Sequence, residues 1–385
     1  MNAGTYQEHG VYKTFQPRLL ADHLELSDKE IAIFYGDAMR YLGELNAYSQ
    51  LVPNIDYFIR MYIAKEATTS SKIEGTNTNL TDLLQDDEDS RAELNTEQRD
   101  DLEEVQNYIK AINQAIASLQ TLPLANRLVC ETHRTLLSGV RGFTRAPGEI
   151  RRVQNWIGGG NDIKSAVFIP PSPESLPELL TDLENYWHNN TAVPALIKTA
   201  LTHYQFETIH PFLDGNGRVG RLMIGLQLID AKILTKPALY ISDYFERYRS
   251  DYYDALERVR HTGDYNHWVR FFLGAVVDTA KDAKNTLQSI VNLDREYIER
   301  IQKSPLSRTR QNNARELLTM LYGQPIVSIR QVEAMTGYSF QTSSDLVKKL
   351  EEMSILREIT NTGKNRRYVL TEYFDLFNKP RGNHE

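Results

Sequence analysis

The twelve residues from His210 to Arg221 restrict the fold more than any other part of this chain. They read His210, Pro211, Phe212, Leu213, Asp214, Gly215, Asn216, Gly217, Arg218, Val219, Gly220, Arg221. A core helix would not carry three glycines and three charges so close together, and a surface loop would not sit between two strongly apolar helices. Both neighbours are apolar and helical. Upstream, Val193, Ile197, Ala200, Leu201 and Tyr204 share one face; downstream, Val219, Leu222, Met223, Leu226 and Ile229 recur at helical spacing. The stretch from His210 to Gly217 is therefore expected as a loop held between two buried helices, a rigid mounting for a site.

The residue types in that loop suit polyphosphate chemistry. Gly215 and Gly217 let the backbone turn so that successive N–H groups converge at the positive end of the next helix. Such a place binds anions. Arg218 and Arg221, three apart, can reach two different phosphates. Asp214 is the only acid in the loop, and one carboxylate beside phosphates suits Mg²⁺. His210, with an ordinary pKa of about 6.5, can take a proton from a hydroxyl.

The rest of the composition is bland. The 385 residues leave room for two or three domains, and 41% hydrophobic with 25% charged residues is ordinary for a soluble protein. A net charge of −7 gives no global reason to bind nucleic acid or membrane. No apolar run is long enough to span a membrane, and the first twenty residues lack a secretory pattern. Cys130 stands alone, which rules out an intrachain disulfide or a cysteine zinc site. A cytoplasmic protein is expected.

Helical patterning dominates. Helices are expected from Leu26 to Ala47, opened by Ser27 and Asp28, and from Asn54 to Ser71, ending near Gly75. The stretch from Asn77 to Asp101, with its acidic run Asp86 to Asp89, reads as a solvated connector. Further helices are expected at 102–119, 124–137, 175–189, 194–209, 217–231, 250–261 and 265–289. One segment breaks the pattern: Gly148 to Gly160 alternates around β-formers, and Ala166 to Pro171 follows, which together read as a β-hairpin. A linker at Ser304 to Ser307 precedes short helices at 309–322, 329–336 and 340–353. Two strand-like pieces, 356–359 and 368–370, then flank a basic turn. Three helices and a two-stranded wing suggest a winged helix-turn-helix.

The stretch from His210 to Arg221 resembles the Fic motif, HPFx(D/E)GNGRxxR, at every defined position. Fic domains are mostly helical and usually transfer AMP from ATP to a Ser, Thr or Tyr hydroxyl on a protein. The resemblance implies that His210 is the general base and that Asp214 holds Mg²⁺ against the α- and β-phosphates. It further implies that Asn216 and the Gly215 and Gly217 amides grip phosphate. Arg218 would take the β-phosphate and Arg221 the γ-phosphate, with Val219 and Gly220 between them on the nucleotide side. The hairpin resembles the family's flap, with Ile157 and Gly158 over the nucleotide and a target protein segment adding alongside as a strand. Tyr252 falls in a stretch that resembles one near the adenine, although tyrosines there suit a core equally well. Arg260 stands where some members carry an asparagine near the base.

A second motif lies upstream. Ser70, Glu74 and Gly75 match the pattern [S/T]xxxE[G/N] that one class of Fic proteins carries on an N-terminal inhibitory helix. The resemblance implies that Glu74 pairs with Arg221 and displaces the γ-phosphate. The same glutamate orients water for AMP removal in some relatives.

At the far end, Lys348, Lys349, Lys364, Arg366 and Arg367 put basic charge on the third helix and wing, with Asp345, Glu351 and Glu352 among them. DNA and a protein or dimer partner are both compatible with that mixture. The expected fold is thus mainly α: a Fic-type helical bundle with a β-hairpin flap, plus a C-terminal winged helix-turn-helix. The parts are an N-terminal helical region with the inhibitory helix (1–101), a Fic catalytic domain (102–290) and the winged helix (305–385). The expected activity is that of a self-inhibited protein adenylyltransferase, of bacterial type, using ATP and Mg²⁺, with no membrane partner and with a homodimer allowed. AMP removal, transfer of another phosphate-containing group, and nucleotide sensing by a transcriptional regulator are the alternatives.

Overall fold

The computed structural model describes residues 2–20, 28–52, 54–85, 91, 94–140, 144–160, 162–189, 192–360 and 365–378. The acidic run at Asp86 to Asp89, the residue Ser27 and most of the basic turn, Lys364 included, lie outside the described residues.

The chain opens with a hairpin that the sequence reading passed over. Strands β1 (Gly4–Glu8) and β2 (Lys13–Pro17) pair antiparallel with Tyr6 opposite Phe15. Only Thr14, Phe15 and Pro17 of this hairpin are fully buried within strands, so its hydrophobic alternation is too short to stand out.

Helices α1 (Lys29–Leu51) and α2 (Ile55–Ile73) follow, with α1 capped by the Asp28 side chain, which accepts from the Glu30 amide. Buried positions surround most of α2, from Phe58 to Ile73, so it is an interior helix. It ends at Glu74, and Gly75 takes a positive φ of 101°. After the short α3 (Leu80–Leu84) come α4 (Thr96–Ser118), α5 (Asn126–Leu136) and α6 (Leu176–Asn189). Next stand α7 (Ala195–Ile209) and α8 (Asn216–Asp230), two nearly all-buried helices packed on each other, with the loop of interest between them. Two more helices, α9 (Ser242–Arg247) and α10 (Arg249–Thr262), lead into α11 (Tyr265–Lys303).

Helix α11 is longer than the expected 265–289 segment. Its 39 residues span roughly 58 Å. The continuation is stabilised because Ile290, Tyr297 and Ile301 form a second buried stripe, facing the elements that come after residue 305. Those elements are α12 (Arg308–Leu321), β3 (Ile326–Ser328), α13 (Ile329–Thr336), α14 (Phe340–Glu352), β4 (Arg357–Glu358), β5 (Arg367–Val369) and α15 (Thr371–Asn378). The three strands form one antiparallel sheet in the order β3-β5-β4, so the expected two-stranded piece gains a third strand. Helix α15, also unexpected, returns the chain to α2: Phe377 meets Tyr62 edge-on at 5.2 Å.

The expected β-hairpin at 148–171 is not a ladder. It is a loop joined by a single antiparallel bridge, Ile157 to Phe168. Gly158, Gly159 and Gly160 all take positive φ, and a 3₁₀ turn at Ile163–Ser165 closes on them. Together they curl the chain away before a second pair of residues can align. A Cβ at Gly159 would fall 2.0 Å from the Ser165 carbonyl oxygen, so this tight return requires glycine. The loop is anchored from the N-terminal hairpin, where the Phe15 amide donates to the Ile169 carbonyl at 3.0 Å.

Candidate active site

The loop between α7 and α8 is closed by its own polar groups and tied down by residues from outside it. His210 ends α7 with φ 49°, a left-handed cap, and Gly215 begins α8 with φ 74°. Asn216, buried at the first position of α8, clamps the loop shut: its Nδ2 donates to the Phe212 carbonyl and its Oδ1 accepts from the Phe212 amide, both at 2.8 Å. The Asn216 side chain is thus engaged within the loop, and what this position offers an anion is its backbone amide. Gly217 is helical rather than turned. Its missing Cβ leaves space: a methyl there would lie 2.2 Å from Glu74 Oε1.

Four residues outside the motif hold it in place. His133, on α5, accepts from the Gly148 amide at Nδ1 (2.8 Å), which leaves Nε2 to donate to the Asp214 carbonyl (2.9 Å). Its ring stacks on Phe212 with centroids 3.8 Å apart. Burial holds this imidazole neutral, with its pKa pushed down to about 4. Arg151 donates to the backbone carbonyls of His210 (2.9 Å), Pro171 (2.6 Å), Ile209 and Val153, and Asn155 donates to those of Phe212 (2.8 Å) and His210. The loop carrying Ile157 and the loop carrying His210 are therefore tied together. The fourth is Glu104 on α4, whose Oε2 meets Arg218 Nη1 at 2.9 Å and also accepts from Thr76.

His210 itself is half-buried. Its Nδ1 faces the Glu207 carbonyl at 3.3 Å; since a carbonyl only accepts, Nδ1 carries the hydrogen and Nε2 has a free lone pair. Burial pushes its pKa down to about 4, so the ring is a neutral base at pH 7. Glu207, one turn earlier, is a buried carboxyl pushed up to about 7 by desolvation, and its Oε1 packs against Gly220. Asp214 has a 43% exposed side chain; Oδ1 accepts from the Gly215 amide at 2.6 Å and lies 3.6 Å from Arg218 Nη2. No group of three or more metal-ligating side chains occurs among the described residues. A lone, half-exposed carboxylate still fits Mg²⁺ when phosphate oxygens and waters complete the shell.

Arg221 is 2% exposed and is held through Nε and Nη2 by the end of α2. Its Nε donates to Ser70 Oγ (2.9 Å), and its Nη2 donates to the Ser70 carbonyl (2.8 Å) and to Glu74 Oε1 (2.7 Å). The Ser70 carbonyl is available because the Glu74 amide turns to Ser71 instead, tightening the last turn of α2. Burial disfavours both charges, yet each prevails: Arg221 holds the Glu74 carboxyl below its ordinary pKa, and Glu74 raises that of Arg221. The carboxylate rests over Gly217, at the positive end of α8 where an anion would be drawn.

Ser70, Glu74, His210, Asp214, Gly217, Arg218 and Arg221 thus converge. Other expected site residues stand elsewhere. Val219 is a fully buried core side chain, and Gly220 gives room to Glu207. Tyr252 is buried in an aromatic cluster, stacked on Phe245 at 4.5 Å, with its hydroxyl 2.9 Å from His203 Nε2. Ile157 is half-buried beside its bridge partner Phe168, and Arg260 stacks on that same Phe168 at 3.7 Å.

Two family profiles match this chain: the Fic/DOC family N-terminal region at residues 34–117 and the Fic/DOC family at residues 123–228. The chain carries a Fic/DOC family domain. Among its relatives, the "Protein adenylyltransferase Fic" of Drosophila grimshawi is 30% identical over 239 residues, 61% of this chain and 44% of that protein. That of Drosophila melanogaster is 34% identical over 166 residues, 42% of this chain and 30% of the relative. This chain therefore spans less than half the length of either. Two solved structures share the fold at 21% identity. A Fic family protein from Desulfovibrio desulfuricans G20 has a TM-score of 0.57 and covers 89% of this chain and 96% of its own. Fic-1 of C. elegans, residues 134–508, has a TM-score of 0.51 and covers 66% and 72%. No helix among the described residues of this Fic protein is long and apolar enough to cross a membrane.

Proposed function

We propose that this Fic protein is a protein adenylyltransferase held in check by its own Glu74. The observation that carries this reading is the placement of the Glu74 carboxylate on Arg221 and over Gly217, the place where the loop would receive a phosphate. With Glu74 withdrawn, Arg221 and the amides at the start of α8 are free to hold the phosphates of ATP, beside Arg218, which stays paired with Glu104. Asp214 would hold Mg²⁺, which supplies charge neutralisation there. A target hydroxyl beside His210 gives its proton to Nε2 as its oxygen bonds to the α-phosphorus. The bond to the bridging oxygen breaks, and pyrophosphate leaves with the electron pair. The loop at Ile157 and Gly158 would align the target segment.

The test is incubation with α-labelled ATP and candidate targets, using wild-type, Glu74→Gly and His210→Ala protein side by side. Label in Glu74→Gly well above wild type, by roughly 10- to 100-fold, and none in His210→Ala is the expected result. Equal labelling by wild type and Glu74→Gly contradicts self-inhibition, and a covalent mass other than that of AMP contradicts adenylylation.

AMP removal is the second reading. It rests on Glu74 standing over Gly217 in the same motif that carries His210, where its carboxylate acts on the ring although burial dominates and keeps the imidazole neutral. Release of AMP from a modified target by wild type, and its loss in Glu74→Gly, would favour it. Nucleotide sensing without chemistry predicts instead that His210→Ala keeps full function in the cell. We read residues 305–385 as a winged helix with DNA or a protein, a second copy included, as its partner. Lys349 is paired with Glu352 at 2.6 Å and Arg366 with Glu358 at 3.7 Å, so the basic face is partly neutralised. Binding to DNA that weakens steeply with salt would single out DNA.

A further inference from the structure

The last turn of α2 is held from two sides. Inward, Glu74 reaches Arg221; outward, Lys72, two residues earlier, reaches Glu246 of α9 at 2.8 Å. The outward pair borders a cleft of about 470 Å³ between the back of α2, the loop after Gly75, α9 and the end of α15. Nothing in the site described above uses this cleft.

Its walls mix polar and apolar groups, and its charges are nearly balanced once Asp278, 3.0 Å from Arg247, is counted. Lys65, Lys72 and Arg247 line it against the carboxylates of Asp243 and Glu246, with Thr69, Asn77 and Asn378 among the hydroxyl and amide groups of its rim. Lys65 and Arg247 are mostly buried in pairs with Asp243, at 3.5 and 2.9 Å. The Lys72–Glu246 pair differs: its side chains are 61% and 32% exposed, so water screens it and an incoming anion can exchange for Glu246.

A change at that pair has a short route to the site. Lys72 and Glu74 share one helical turn. The chain just beyond is fixed, the Asn77 amide on Asp101 at 2.8 Å and the Thr76 hydroxyl on Glu104. Farther up α2, Phe58 packs on Tyr322 and Tyr373, and Tyr62 packs on Phe377, so α2 is also joined to the C-terminal elements that close the cleft.

We propose that this cleft is an effector site for a small hydroxylated anion, which takes Lys72 from Glu246 and so releases Glu74 from Arg221. The proposal rests on the self-inhibited reading above. Binding of a fluorescent ATP analogue to the full chain tests it without requiring turnover. Lys72→Glu, which sets two carboxylates against each other, is expected to raise analogue affinity several-fold towards that of Glu74→Gly. The swap Lys72→Glu with Glu246→Lys should restore wild-type affinity, which separates the effect from misfolding. In a Glu74→Gly background Lys72→Glu should add nothing. Ribose 5-phosphate, the probe, should raise analogue affinity of the wild type several-fold and leave Lys72→Glu unmoved.

If Glu74→Gly binds the analogue no better than wild type, the self-inhibited reading falls and the effector with it. If Glu74→Gly binds better but Lys72→Glu matches wild type, the coupling alone is overturned. Ribose 5-phosphate that lowers analogue affinity, or acts equally on Lys72→Glu, or has no effect, overturns the cleft as its site.

Discussion

Glu104 Oε2 lies 2.9 Å from Arg218 Nη1, and both side chains are almost wholly buried, 6% and 4% exposed. Both arginines of the loop are thus held by carboxylates from upstream helices, Arg218 by α4 and Arg221 by the end of α2. The two pairs differ in their exposure. Glu74 keeps 35% of its side chain in contact with solvent and can leave, whereas Glu104 has no path to water without opening α4.

Removing Glu104 leaves a buried guanidinium with the half-exposed Asp214, 3.6 Å away, as its remaining carboxylate neighbour. Glu104→Ala should lose about 3–5 kcal/mol of stability in urea unfolding. Because a bound polyphosphate supplies the missing counter-charge, ATP with Mg²⁺ should raise the melting temperature of Glu104→Ala more than that of wild type. Equal ligand-induced shifts would show that Arg218 does not face the nucleotide.

Asn216 closes the loop on itself through both Phe212 backbone groups. Asn216→Ala leaves the buried Phe212 amide without its partner, while the carbonyl keeps Asn155 Nδ2, at a cost of about 1–3 kcal/mol. Nucleotide affinity should fall along with stability. Unchanged melting with lost nucleotide binding would instead assign the side chain a direct phosphate contact.

His133 acts at one remove, through Asp214, Gly148 and Phe212. His133→Ala should destabilise the fold by about 2–4 kcal/mol from two hydrogen bonds and one stacked ring. In a Glu74→Gly background it should depress target labelling more than it weakens nucleotide binding, because Asp214 and His210 lose their alignment.

The pH dependence follows from two lowered pKa values. His210, pushed down to about 4, stays neutral as a base through the physiological range. Glu74 is held below its ordinary carboxylate value, so its contact with Arg221 is complete at neutral pH and is lost only as pH falls through the acid range. Labelling efficiency of Glu74→Gly should therefore be flat from about pH 6 to about pH 8, and its ratio to wild type constant. A limb with a midpoint near pH 6.5 would mean that His210 is solvated during the reaction.

Much of this was legible beforehand. The helices around His210 stand within a few residues of their expected bounds, because their apolar stripes are long and periodic. The Ser70, Glu74 and Arg221 triad was legible only through resemblance, since nothing in spacing alone brings residues about 150 positions apart into contact. The hairpin reading of 148–171 misled because alternation cannot reveal that three left-handed glycines and a 3₁₀ turn interrupt the pairing. His133, Arg151, Asn155 and Glu104 went unnoticed for a related reason. Each is a polar residue whose importance lies in being buried against a backbone group or charge from elsewhere, and burial of a polar residue has no periodic signature.

The sequence by itself determined the helical character, the rigid loop and its chemical inventory: a base, an acid, two arginines and an anion-binding helix start. These follow from local propensity and pattern. Only the tertiary structure decided what each group faces. It gave Asn216 and Gly217 roles in loop closure and clearance, and it placed Tyr252 in the core. It also set the last turn of α2 between Arg221 on one side and Glu246 on the other. Partnership between distant charges depends on which buried surfaces meet, and that is fixed by packing of the whole chain.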